Sequence, residues 1–74
     1  MEAKETRLTL KVANRFNRDI VLCLEPWGDE HLLPKGQHLN ILAQGQVNGM
    51  LEVEYGQDRI TIYGWSGSTL EIVK

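Results

Sequence analysis

The stretch IVLCLEPWGDEHLLPKG, residues 20 to 36, decides the fold class because strand and turn patterns alternate within it. In IVLCLE, residues 20 to 25, both alternating sets of side chains are largely apolar, which is typical of a strand covered on two faces. Pro26-Trp27-Gly28 and Pro34-Lys35-Gly36 share one turn pattern. In each, proline presets φ at the second turn position and glycine accepts a positive φ two residues later. We therefore expect a strand, a turn, a short strand and a second turn.

Period-two alternation recurs on both sides of this stretch, and the 3.6-residue period of a helix is almost absent. Leu8, Leu10 and Val12, for example, alternate with Thr9 and Lys11. The pattern predicts about seven strands, at residues 6–13, 20–25, 30–33, 38–43, 50–55, 59–64 and 69–73. Short loops favour antiparallel neighbours in a meander. We expect a single all-β domain over residues 1–74, a small antiparallel β-barrel or two-sheet sandwich of jelly-roll-like form.

The size and the cysteine content limit how this domain is stabilised. A chain of 74 residues makes one small core, and small domains often add disulfides, a metal or a partner subunit. Cys23 is the only cysteine, so no internal disulfide can form and a reducing compartment is expected. The N-terminus has no apolar leader region, and no run is long enough for a membrane span. We expect a cytoplasmic protein that does not bind membranes.

The charge distribution argues against nucleic acid as a partner. The net charge is −2, and residues 20 to 58 hold Lys35 alone against six acids. This acidic body lacks the basic footprint that neutralises phosphates. Arg15 and Arg18 flank one polar loop, residues 14 to 18, which we interpret as solvated.

His31 and His38 lie on either side of the second turn, and the strand register decides whether they can share a metal. A two-residue hairpin loop would place them opposite each other on one face, about 5 Å apart at Cβ. A three-residue loop with Gly36 in the left-handed region would turn them to opposite faces. The Pro-x-Gly pattern favours the second arrangement. We expect no metal site, and His31 and His38 are the candidate ligands if there is one.

The spacing of Gly28, Pro34 and Gly36 resembles the second motif of cupins, small jelly-roll barrels that usually bind a divalent metal. The resemblance covers nine residues and implies a jelly-roll-like turn. The cupin histidine and asparagine positions are occupied here by Leu39 and Ala43, and the His-x-His pair of the first cupin motif has no counterpart.

The chain also resembles short bacterial proteins of unassigned function that carry LEPWG, Pro-x-Gly and ITIYGW segments. The corresponding residues are Leu24 to Gly28, Pro34 to Gly36 and Ile60 to Trp65. This resemblance supports the fold and implies no activity.

Catalytic patterns are incomplete, so we expect no catalytic residue and no cofactor. Gly64 to Ser68 is similar to a nucleophile elbow but lacks the final glycine and the following helix. Glu52 and Glu54 alternate along a strand as solvated acids do. The Glu25 carboxylate, between a buried strand and a proline turn, is expected to accept backbone N–H bonds from the turn.

Aromatic and outward apolar side chains supply the remaining candidates for an interaction or ligand-binding site. Trp27, Tyr63 and Trp65 would form an aromatic platform for a sugar, a peptide or a second subunit, or the two tryptophans would cap the ends of the core. Apolar residues on the second face would form a patch larger than a monomer usually exposes: Val21, Cys23, Leu42, Met50 and Val73. An alternative interpretation of Cys23 is a small hydrophobic residue buried in the interior.

These patterns lead to three hypotheses about function. The first is a non-catalytic domain that buries its second apolar face in a homodimer or against another protein. The second is a cupin-like mini-barrel that binds a metal or small ligand through His31, His38 and Glu25. The third is carbohydrate or peptide recognition by Trp27, Tyr63 and Trp65.

Overall fold

The computed structural model describes residues 5–73, which form seven β-strands. The strands are β1 (Glu5–Ala13), β2 (Ile20–Glu25), β3 (Asp29–Leu33), β4 (His38–Gln46), β5 (Glu52–Tyr55), β6 (Arg59–Tyr63) and β7 (Thr69–Val73). The expected all-β class and strand number are confirmed. Within the described residues, no helix is long and apolar enough to cross a membrane.

Two sheets share the strands, one with the order β1-β4-β7 and the other with the order β3-β2-β6-β5. Strands β2 and β6 are parallel, with Leu22 beside Ile60. The expectation of an antiparallel meander is therefore wrong. It considered only consecutive strands, whereas β2 and β6 are separated by residues 26–58, a connection long enough for parallel pairing.

The core lies between the two sheets, which do not close into a barrel. Its buried members come from both sheets and are the residues that period-two alternation directs inward: Ile20, Leu22, Leu24, Leu33, Ile41, Ala43, Ile60, Ile62 and Leu70. Leu8, Leu10 and Val12 of β1 pack against them and are half-buried. The strand pattern thus predicted the core, with an exception at β5 that is described below.

Both predicted glycine turns are present. Gly28 and Gly36 have φ values of 76° and 78°, as the sequence predicted. In the second turn the Gln37 N–H donates to the Pro34 carbonyl at 3.0 Å, which makes Pro34 the first turn residue and not the second. This turn carries the chain from β3 in one sheet to β4 in the other, so it is not a hairpin.

Strand β4 continues to Gln46, three residues beyond its predicted end at Ala43. Gly45 is buried, and a Cβ atom there would come within 2.6 Å of the Ser68 Cα. The glycine therefore allows the close approach of another backbone and does not end the strand.

Candidate functional site

The predicted apolar patch is divided between the two sheets. Val21 and Cys23 lie on the outer face of the four-stranded sheet, since the core contains the alternate residues of β2. Leu42 lies on the outer face of the three-stranded sheet, between Thr9 and Glu71. Val73, in β7, shares that outer face, and Met50 lies in the loop between β4 and β5, where it is 81% exposed. The five side chains do not form one continuous surface.

The outer face of the four-stranded sheet, called here the acidic face, presents four carboxylates: Glu25, Glu30, Glu52 and Glu54. The strand register places Cys23 between Glu30 and Thr61, and Tyr63 between Glu25 and Glu52. Arg59 is the only basic side chain among the residues of these four strands that the structure assigns to this face.

Cys23 is buried beneath a polar pair on the acidic face. The Arg59 guanidinium donates to Cys23 Sγ at 2.7 Å and to Glu30 Oε2 at 3.3 Å. Burial raises the pKa of the Cys23 thiol, against the opposing effect of Arg59 and with the support of Glu30 and Glu25. The thiol is therefore protonated at neutral pH and is a poor nucleophile.

Tyr63 makes the second polar contact of this face. Its hydroxyl donates to Glu54 Oε1 at 2.9 Å, and this hydrogen bond is the main cause that raises the pKa of Tyr63. The Tyr63 phenol therefore stays protonated and uncharged at neutral pH. Neither Cys23 nor Tyr63 has the depressed pKa of an activated nucleophile or base.

Glu25 ends β2 beside the proline turn, and its backbone carbonyl accepts a hydrogen bond from the Gly64 N–H at 2.9 Å. Its side chain is half-buried at the edge of the acidic face. Glu25 thus helps to join β2 to the end of β6 through its backbone.

The three candidate aromatic residues occupy different surroundings. Trp27 packs beside Gly64, where a Cβ atom would lie 3.1 Å from the indole Cη2. Trp65 packs against the core and donates its indole N–H to the Gln46 carbonyl at 2.9 Å. Tyr63 points to the acidic face. Trp27 thus lies against the backbone of Gly64, and Trp65 lies against the core.

His31 and His38 are not brought together as a pair across the second turn. His31 is in β3 beside Leu22, whereas His38 is in β4 beside Ala13 of the other sheet. Strands β3 and β4 do not pair, so neither hairpin register considered above occurs. In the described range 5–73, no group of three or more His, Cys, Asp or Glu side chains is arranged to hold a metal ion.

A different feature appears at one open side of the sandwich. The edge of β1 and the inner sides of β5 and β6 enclose a largely apolar slot of about 250 Å³, called here the open slot. It is lined by the residues Leu10, Lys11, Val12, Ala13, Val53, Tyr55, Ile60 and Ile62. Val53 and Tyr55 pair with the buried Ile62 and Ile60 and share their inner face, yet they are 42% and 73% exposed.

The open slot exists because the sheets differ in strand number. The four-stranded sheet ends at β5, while the facing three-stranded sheet ends at β1. The inward side chains of β5 therefore have an incomplete cover. Val53 and Tyr55 alternate with Glu52 and Glu54 as the residues of a core-facing strand do, so the sequence pattern gives no sign of their exposure.

Strand β1 borders the open slot with an edge that has no partner strand among residues 5–73. It is nine residues long, contains neither proline nor glycine, and pairs on one side with β4. The Asn14 N–H donates to the Gln37 carbonyl across from β1, so even-numbered residues direct their N–H groups toward β4. Because these directions alternate along a strand, odd-numbered residues from Glu5 to Ala13 direct theirs outward. A long edge of this kind is a template for another strand.

Comparison of the chain with known proteins finds no matching family model, no matching curated protein and no matching solved structure.

Proposed function

We propose that this chain is a non-catalytic β-domain that acts by association, and that its first partner is a second copy of itself joined along β1. The observation that carries the proposal is the exposure of Val53 and Tyr55 on an inner, core-facing side of the sandwich. A strand added beside β1 would extend the three-stranded sheet over β5. It would cover these side chains with the apolar side chains of its own inner face.

The charge pattern of β1 supports a second copy as the occupant. Two β1 strands can pair antiparallel with Leu8 opposite Leu8, which keeps the apolar side chains on the inner face. Glu5 then lies opposite Lys11 at both ends of the pair. A shift that places Thr9 opposite Thr9 instead brings Arg7 opposite Lys11, and opposed like charges are destabilising. One register is therefore favoured over its neighbour.

The hydrogen-bonding directions agree with this register. It sets Arg7 opposite Thr9, and both are odd-numbered residues whose N–H groups point away from β4. Such pairs exchange two backbone hydrogen bonds in an antiparallel ladder. Backbone N–H groups on the edge of β1 that face solvent in the monomer would thus have hydrogen-bond acceptors in the dimer.

Within this proposal, the jelly-roll-like barrel expected from the sequence is completed only in the dimer, where each copy supplies cover for the other. A single, buried thiol at Cys23 is consistent with the proposed bacterial cytoplasmic location. The same association surface would accept a strand from another protein, and the homodimer is the case that the charge pattern of β1 favours.

The substitution Thr9→Pro tests the proposal at the strand edge. Proline removes an N–H that points away from β4, so the β1–β4 ladder keeps its bonds, and the extended Leu8 tolerates a following proline. We expect the wild-type chain to sediment as a dimer at micromolar concentration. Thr9→Pro should raise the dimer Kd at least about tenfold, because two hydrogen bonds across the two-fold axis are lost.

Thr9→Ala is the matched control, since it changes the same side chain and keeps the N–H. It should dimerise like the wild type, and all three proteins should have the same circular dichroism spectrum. A wild-type chain that stays monomeric up to about 1 mM would contradict the proposal. Equal Kd values for Thr9→Pro and Thr9→Ala would contradict the role of β1.

A further inference from the structure

A second cavity lies at one end of the three-stranded sheet and shares Lys11 and Ala13 with the lining of the open slot. Its volume is about 330 Å³, within the range of roughly 300 to 1,000 Å³ that is usual for small-molecule pockets. The β1–β2 loop and the β3–β4 turn form its walls together with the ends of β1 and β4. The lining residues are Lys11, Ala13, Asn14, Arg15, Phe16, Lys35, Gly36, Gln37 and His38.

The walls of this cavity are braced by a buried asparagine. Asn14 is 1% exposed, and its Nδ2 donates to the Arg18 carbonyl at 2.8 Å and to the Leu33 carbonyl at 2.9 Å. Its Oδ1 accepts the Phe16 N–H at 2.9 Å, and its backbone carbonyl accepts the Gly36 N–H at 3.1 Å. The two loops are therefore held together in one arrangement before any ligand binds.

The charged residues that line the cavity are of one sign, and the Asp19 carboxylate lies behind them, where its Oδ1 accepts the Lys35 backbone N–H at 2.8 Å. Lys11, Arg15 and Lys35 are cationic, and none of the lining residues in the described part of the chain carries a carboxylate. The two ion pairs found among residues 5–73 are Arg18–Asp58 and Arg59–Glu30, so the three lining cations take part in neither. Three cations that line one cavity and take part in no side-chain ion pair favour an anion.

Phe16 adds an apolar surface to this basic cavity. Its ring is 45% exposed, and the Arg18 guanidinium lies over it at 5.1 Å from the centroid. Arg18 is itself fixed by Asp58 at 2.8 Å. An exposed ring that is held in place beside cations suits a ligand with both a flat apolar group and a negative charge.

We propose that this cavity binds a small aromatic phosphomonoester, with the phosphate between Arg15 and Lys35 and the ring against Phe16. A phosphomonoester carries up to two negative charges and three acceptor oxygens, which matches a cavity lined by three cations better than a single carboxylate does. The three residues assigned to the ligand, Arg15, Phe16 and Lys35, lie outside β1, so their contacts do not require the proposed dimer. Lys11 and Ala13 of β1 also line the cavity, and in the proposed dimer Lys11 lies opposite Glu5 of the second copy.

Phenyl phosphate and inorganic phosphate are the two probes, followed by amide chemical shifts of the full chain at low ionic strength. We expect saturable shifts at Phe16, Lys35 and Gly36, with a Kd for phenyl phosphate of about 1 mM or tighter. Arg15→Gln and Lys35→Gln should each weaken phenyl phosphate at least about threefold, the scale of one exposed charge contact. Phe16→Ala should weaken phenyl phosphate and leave inorganic phosphate unchanged.

Arg7→Gln is the matched control, because it removes one exposed positive charge from β1 outside the cavity. It should leave the phenyl phosphate Kd unchanged. Equal weakening by Arg7→Gln and Arg15→Gln would overturn the site in favour of non-specific charge attraction. Shifts that do not saturate, or that appear on residues away from the cavity, would overturn it as well. Equal affinity for both probes would remove the role of Phe16.

Discussion

The side chain of Asn14 holds the β1–β2 loop against the end of β3. The sequence predicted it as the first residue of a polar, solvated loop, because asparagine is common in turns. The structure buries it and uses both atoms of its amide. Sequence pattern could not reveal this role, because it depends on carbonyl groups at Arg18 and Leu33 that the fold brings close to Asn14.

Asn14→Ala should lower the free energy of unfolding by about 2 kcal/mol, because two buried carbonyl groups lose their donor. Urea denaturation measures the change. Asn17→Ala, at an exposed asparagine of the same loop, is the control and should change stability by less than about 0.5 kcal/mol. Equal effects of the two substitutions would show that the bonds of Asn14 do not hold the loops.

The strands illustrate what alternation can and cannot predict. It identified seven strands and the inward residues of β2, β4 and β6, because each strand meets the core with every second side chain. It could not predict which strands are neighbours, since the parallel contact of β2 with β6 leaves no local trace in the sequence. It also gives no sign that Val53 and Tyr55 are exposed, because they alternate with Glu52 and Glu54 as core-facing residues do.

The predicted site residues show the same limit at the level of elements. Alternation correctly placed Val21 and Cys23 on one face and Leu42 on an outward face, but the two faces belong to different sheets. Pairing of His31 with His38 was judged from a hairpin, and the second turn instead connects the sheets. Both questions depend on the connection of strands, which the residue pattern does not encode.

Charge reversal on β1 tests the proposed register at the level of the element. Glu5→Lys and Lys11→Glu each convert two attractive contacts across the two-fold axis into repulsive ones. Each should raise the dimer Kd roughly tenfold, as expected for cross-strand charge pairs of up to about 1 kcal/mol each. The double variant Glu5→Lys/Lys11→Glu restores opposite charges and should recover most of the affinity.

Sedimentation at low salt measures these Kd values, and Glu71→Lys is the control for charge reversal. Glu71 is exposed on β7, at the other edge of the same sheet. It should leave the Kd unchanged. Additive losses in the double variant, in place of recovery, would exclude the register that opposes Glu5 and Lys11.

At the scale of the whole molecule, the chain combines a small core with one open side, at the open slot. Ten hydrophobic residues are buried among the residues the structure describes, while Val53 and Tyr55 remain exposed beside the open slot. A domain of this size has a narrow margin of stability. Association that covers the open slot would therefore contribute a large share of the total free energy of unfolding.

The thermal midpoint of the wild-type chain should consequently depend on its concentration. For a symmetric dimer that unfolds to monomers, a hundredfold rise in concentration stabilises each copy by about 1.4 kcal/mol. In a domain of this size the Tm should then rise by roughly 5 to 10 °C. Tyr55→Lys places a charge in the slot, so its Tm should be lower at high concentration and should vary little with concentration.

Leu32→Lys is the matched control, because Leu32 is 63% exposed and Tyr55 is 73% exposed, but Leu32 lies on the acidic face. It should keep the concentration dependence of the wild type. Calorimetric scans at about 5 and 500 μM span the range in which a micromolar dimer changes from partly to fully associated. A wild-type Tm that is the same at both concentrations would mean that association does not contribute to the stability of the fold. The exposure of Val53 and Tyr55 would then need another explanation.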